Sequence, residues 1–222
     1  MDYLLKIDRF LLKWAYQKPF NNNLIIKSLI FIGDSQFWLI VLFIISLSGL
    51  FLNNENMYQI SIMLMIGLTI SNVIFFLCKT KIKRKRPYAD IELQKAINLS
   101  IENRDPGHGS KELESFPSGH VLWTTVSVGI ICFNLGFIYL LFIGWLIPIM
   151  IFLRLHLGVH YPSDVFAGLF IGIISSIITI IISAELMGLL NLYKHSSWFT
   201  YGYSLFVLIF VFIGFKSWLK RV

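Results

Sequence analysis

Six stretches of this chain are too apolar to be left in water, and one long polar segment divides them. The runs extend from about Leu24 to Leu52, Met57 to Cys78, His120 to Tyr139, Leu140 to Leu157, Val165 to Leu186 and Phe199 to Trp218. About 20 apolar residues in a helix match the hydrocarbon thickness of a bilayer. Inside lipid every backbone N–H and C=O must be satisfied within the protein, which leaves helices or closed barrels. With 56% hydrophobic residues and a mean hydropathy of +0.73, the chain cannot hide these runs in one soluble core. The predicted fold class is all-α, a polytopic membrane bundle of about six transmembrane helices. Without an internal repeat or low-complexity linker, residues 1–222 read as one integral-membrane domain.

Ahead of the first run, Leu4, Leu5, Ile7, Phe10, Leu11 and Trp14 recur at helical spacing, with Lys6, Arg9 and Lys13 between them. That pattern predicts a helix lying in the membrane interface. The segment lacks the short apolar core and small-residue cleavage site of a removable signal peptide. Gly33, Asp34, Ser35 and Gln36 interrupt the first run, as a kink or a turn. Cys78 and Cys132 lie inside apolar runs, without zinc or redox spacing, and receive no function.

The net charge of +7 concentrates between Lys79 and Arg86, directly after an apolar run. This location ties it to a membrane boundary and argues against nucleic acid. Three polar clusters follow from there. Lys79, six intervening residues and Arg86-Pro87 form the first. Pro87 disfavours helix at Arg86, so two cations can converge on one anion, although a plain basic cuff at the membrane surface also explains this cluster alone. Phe116-Pro117-Ser118-Gly119-His120 forms the second. A helix start at Ser118 and Gly119 presents free backbone N–H groups to a phosphate, and His120 can donate a proton to a leaving oxygen. A turn with a capping serine is the bland alternative.

Arg154, five intervening residues, His160, three intervening residues and Asp164 form the third cluster. A guanidinium after Ile-Met-Ile-Phe-Leu is costly unless an anion or polar cavity compensates it. Pro162 suits the first position of a helix, which puts Asp164 in its first turn, within reach of His160. A polar hairpin with a helix cap is the plainer reading. His108, His156 and His195 lack such partners and read as loop, helix-face and loop histidines.

Together the clusters resemble the type 2 phosphatidic acid phosphatase family, whose motifs run Lys-x6-Arg-Pro, Pro-Ser-Gly-His and Ser-Arg-x5-His-x3-Asp. The resemblance covers roughly residues 57 to 186 and departs at Leu153, where the family has serine. It implies that His160 attacks phosphorus to give a phosphohistidine, that Asp164 orients it, and that His120 is the general acid and base. Lys79, Arg86, Ser118, Gly119 and Arg154 would hold the phosphate. No cofactor and no metal are expected, because the cations supply the charge neutralisation.

The implied substrate is a membrane lipid phosphate whose tails stay in the bilayer. The short chain and mixed-charge loop look similar to lipid A phosphatases of the 4'-type, with undecaprenyl pyrophosphate and phosphatidylglycerol phosphate as alternatives. Residues 88–115 are expected to select the headgroup. No nucleic acid or obligate protein partner is expected. The resemblance implies a bacterial inner-membrane protein with a periplasmic site, whereas the positive-inside rule would put the basic side in the cytoplasm. Two other classes compete: a transporter using Arg154, His160 and Asp164, and an anionic-lipid binding module using the basic run. The first lacks an inverted repeat, and the second leaves His120 and His160 unexplained.

Overall fold

A computed structural model of the chain describes residues 2–105, 114–193 and 197–219. His108 and His195 therefore lie outside the described residues. Helix α1 spans Asp2–Tyr16, α2 Leu24–Gly33, α3 Ser35–Phe51 and α4 Glu55–Lys81. Short helix α5, Ile91–Ile97, lies in the polar segment. Then come α6 Gly119–Leu135, α7 Leu140–Ile143, α8 Leu146–His156, α9 Pro162–Tyr193 and α10 Ser197–Leu219. The chain is a polytopic helical membrane bundle, as the apolar runs predict.

Three helical segments, Glu55–Lys81, Phe137–His156 and Pro162–Leu186, are each long and apolar enough to cross a membrane. Helices α2 and α3 make a fourth only as a pair, bent by 70° at Asp34. The interruption read at Gly33 to Gln36 is thus a sharp break. Helix α6 and the Tyr201–Ile213 part of α10 are shorter apolar helices. For α6 the reason is its position. Every residue from Gly119 to Val128 is buried, so α6 is a central helix wrapped by its neighbours.

Helix α6 packs most extensively on α9 and then on α4. A Cβ at Gly168 would stand 2.6 Å from the Ser118 carbonyl oxygen, so α9 approaches the start of α6 more closely than any side chain permits. Leu42, Leu64, Leu68, Leu122, Val126 and Ile130 fill the core between α3, α4 and α6. Phe170, Ile181 and Phe212 remain exposed on α9 and α10, as lipid-facing positions should.

Helix α1 has two faces. Phe10 and Trp14 point outward, in keeping with an interfacial helix, while Asp8, Leu12, Ala15 and Tyr16 are buried against α8 and the polar segment. That segment is folded where described. Asp90 caps α5 by accepting from Leu93 N at 3.0 Å. Leu12, Tyr16, Leu93, Ile97, Ile101 and Tyr161 form a small apolar cluster joining α1 and α5 to the start of α9. The result is a cap over one end of the bundle.

Candidate active site

All three sequence clusters meet at that capped end. Lys79 lies in the last turn of α4 and donates from Nζ to the Glu114 carbonyl at 2.6 Å. Arg86 is extended, as Pro87 requires, and its buried guanidinium donates from Nη1 to the Val159 carbonyl at 3.5 Å. The strand-like exit from α4 pairs with the approach to α6: Lys85 bridges Glu114, and Ser115 N donates to Arg84 O at 2.8 Å. This pairing delivers the first and second clusters side by side.

Ser118 occupies the N-cap position of α6, but its hydroxyl makes no capping bond. Ser118 Oγ is buried without a hydrogen-bond partner among the described residues. Ser118 N donates to the Asp164 carbonyl at 3.0 Å, which fastens the start of α6 to the start of α9. His120 is buried in the first turn of α6, and the helix break packs on it. A Cβ at Gly33 would come within 2.8 Å of His120 Cδ2, so only glycine lets the backbone lie against the imidazole.

Arg154 sits in the last turn of α8 with a fully buried side chain. Its Nη1 donates to Asp105 Oδ2 at 2.8 Å, in an ion pair with no exposure on either side. Nε and Nη2 are buried with no hydrogen-bond partner among the described residues. Those two nitrogens form the planar fork that grips carboxylates and phosphates. Asp105 thus holds one corner of the guanidinium, and the Nε and Nη2 edge, unpartnered among the described residues, is the one that suits an anion. Leu153 is packed in an apolar cluster with Ala15, Val121 and Met150, so it brings no hydroxyl to the site.

His160 lies in the turn between α8 and α9. Burial first, and then the charges of Arg86, Arg154, Lys79 and His120, hold its pKa well below the ordinary histidine value. The imidazole is therefore neutral, with a lone pair available, in a field built for an anion. Pro162 opens α9 as predicted, and Asp164 is in its first turn. The reach from Asp164 back to His160 falls short of a hydrogen bond: Oδ2 to Nδ1 is 3.7 Å. Asp164 is instead occupied by Tyr161 N, 2.8 Å from Oδ2, and by Arg84 Nη1, 2.9 Å from Oδ1.

Four residues beyond the motifs matter here. Asp105 orients Arg154, while Asp8, Arg84 and Ser163 surround Asp164. Asp8 carried a sequence signal, because it shares a helical face with Leu12, Ala15 and Tyr16, where an acid is out of place. Arg84 was masked by the basic run around it. His156, read as a helix-face residue, is buried; its Nδ1 is 2.9 Å from Ala15 O, and its ring stacks on Phe152. It fastens α1 to α8.

A buried, cation-lined end of a helical membrane bundle, with histidines inside, is the architecture of an integral-membrane enzyme for phosphate esters. The PAP2 superfamily model matches residues 56–187, and the chain belongs to that superfamily. Among solved structures, LpxE of Aquifex aeolicus is similar with a TM-score of 0.58 at 22% identity, covering 77% of this chain and 92% of that one. A transmembrane PAP2-type phosphatidylglycerolphosphate phosphatase from Bacillus subtilis is similar with a TM-score of 0.65 at 20% identity, covering 83% and 88%. A search of curated proteins finds no matching sequence. The chain is a membrane lipid phosphatase.

Proposed function

We propose that the chain hydrolyses a lipid phosphate monoester through a phosphohistidine. In the first step His160 Nε2 attacks phosphorus, the bond from phosphorus to the lipid oxygen breaks, and His120 gives that oxygen its proton. In the second, water attacks phosphorus and passes a proton to His120. The N–P bond then breaks, freeing phosphate and His160. Asp164 faces Nδ1 and supports the positive charge that the ring acquires. Lys79, Arg86, Arg154, the Ser118 hydroxyl and the Gly119 amide hold the equatorial oxygens, where phosphoryl transfer needs fixed positive potential, the Ser118 amide being bonded to Asp164 O.

The Nε and Nη2 edge of Arg154 carries this reading. Buried guanidinium donors without partners are costly, and a phosphate's oxygens satisfy them while setting phosphorus before the imidazole. We take the lipid to be lipid A with its 4'-phosphate as the leaving group's partner, because the short single domain and its mixed-charge cap resemble that branch of the family. Phosphatidylglycerol phosphate is the second reading, favoured by the likeness to the Bacillus subtilis enzyme. The site is assigned to the periplasmic face of a bacterial inner membrane. The cations gathered at this end serve the site itself, which weakens their value as a sign of the cytoplasmic side.

The test is phosphate release by purified protein from lipid A, phosphatidylglycerol phosphate, phosphatidic acid and undecaprenyl pyrophosphate, with chelator present and the His160→Ala variant alongside. Release that survives chelator and is lost in His160→Ala is expected. Release that needs added metal, or persists in His160→Ala, overturns the mechanism. Lipid turnover without free phosphate would mean transfer to another acceptor. A reporter fused after Val222 reads the sidedness.

A further inference from the structure

Asp164 is bound more tightly by its surroundings than by the histidine it faces. Arg84 Nη1 donates both to Asp164 Oδ1, at 2.9 Å, and to Ser163 Oγ, at 2.6 Å. Its Nη2 donates to Asp8 Oδ2 at 2.8 Å, and the guanidinium lies 3.7 Å from the centre of the Tyr161 ring. Asp8 also accepts from Ser163 N at 2.8 Å and from Ser163 Oγ at 2.6 Å. Ser163 N is one of the donors that the first turn of any helix leaves unpaired, and neither Pro162 nor Tyr161 can cap it. A carboxylate on α1 therefore caps the helix that carries Asp164.

The charges explain why both groups are needed. Arg84 and Asp164 alone form a neutral pair, which gives little support to a cationic imidazole. Asp8 restores one net negative charge to the cluster that faces His160, whose other charged neighbours include Lys79, Arg86 and Arg154. Tyr161 adds no charge here, since its hydroxyl is turned to donate to Asp90 at 2.8 Å. His120, in the first turn of α6, is a further charge that His160 senses.

We propose that Arg84, held by Asp8, is a positioning residue for Asp164, and that α1 is thereby part of the catalytic unit as well as a membrane-interface helix. The proposal rests on the phosphohistidine reading. Arg84 fixes the plane of the Asp164 carboxylate so that Oδ2 faces His160 Nδ1, and Asp8 fixes Arg84. Neither touches the phosphate, so their loss acts on the rate of the chemical steps and leaves substrate affinity in place.

The experiment is steady-state kinetics of Asp8→Asn, Arg84→Met and Arg84→Lys on whichever lipid phosphate the wild type cleaves, with His160→Ala alongside and thermal unfolding in detergent for each. Loss of an outer hydrogen-bond partner of this kind costs roughly 10–100-fold. We expect kcat to fall about 10–100-fold in Arg84→Met and about tenfold in Asp8→Asn, with KM within about twofold, and Arg84→Lys to recover most of the loss. An unchanged kcat in Arg84→Met, a loss confined to KM, or no recovery in Arg84→Lys overturns the proposal. If Arg84→Met does not fold, Asp8→Asn and Arg84→Lys decide. Release abolished by His160→Ala but indifferent to Arg84 and Asp8 leaves the phosphatase mechanism standing and removes only this inference.

Discussion

The capped end of the molecule and its membrane-embedded end are held together by different forces. At the capped end, charged side chains bond across long stretches of sequence: Arg84 to Asp8 and Asp164, and Arg154 to Asp105. In the embedded part, hydroxyls mostly turn back on their own helix, as Thr69 does to Met65 O, Thr179 to Ser175 O and Ser176 to Gly172 O. An exception joins three helices, where Tyr203 of α10 meets Ser46 of α3 and Ser61 of α4. Lipid rewards local satisfaction of polar groups and leaves helix association to packing, so the embedded part tolerates loss of a polar contact. At the capped end each bond specifies which segments meet, and removal of one partner strands a buried charge.

The largest break in this contrast should come from Asp105→Ala. Leaving Arg154 buried without its carboxylate should cost roughly 3–5 kcal/mol, read by thermal or denaturant unfolding in detergent. Next is Arg154→Lys, which keeps the charge but cannot present a planar fork. KM for the lipid phosphate should rise about tenfold or more, equivalent to at least ~1.4 kcal/mol, in steady-state kinetics. Tyr203→Phe probes the embedded end. It should cost about 1 kcal/mol in unfolding and leave kcat and KM unchanged, because the cluster lies apart from the site.

The smallest effect is a displacement along the pH axis. Under the proposed mechanism His160 must be neutral to attack, and its pKa lies well below the ordinary 6.5. The acid limb of kcat/KM due to this histidine should therefore fall below pH 6.5. The same shift has a sign for stability. Below pH 6.5 the unfolded chain takes up a proton that the folded site refuses, so this group's contribution is full above that pH and is lost as pH falls towards the folded-state pKa. A pH-rate profile with matched unfolding curves measures both.

The same contrast explains what was legible beforehand. Apolar runs announce themselves by length, and the structure keeps their order. Arg86, Ser118, Arg154, His160 and Asp164 were visible because their residue types are unusual beside such runs and because Pro87 and Pro162 fix the local backbone. Asp8 showed only as an acid among the apolar positions of its helix, while Arg84 and Asp105 look ordinary in their own segments, and all three gain meaning from a partner 49 to 80 positions away. His156 likewise needed α1 laid against it. The break at Asp34 was marked by polar residues, but its 70° angle depends on packing against His120 and Met150.

The bond from Asp8 to Ser163 spans 155 positions and both belong to a site that must lie on one face of the bilayer. During synthesis the first helix emerges long before its partner exists, so the catalytic end cannot close until the later segments have inserted in the correct orientation. A chain in which one intervening span failed to insert would strand Asp8 and Ser163 on opposite sides of the membrane. If Asp8 and Arg84 act as proposed, correct topology and competence for chemistry are read out by the same few atoms.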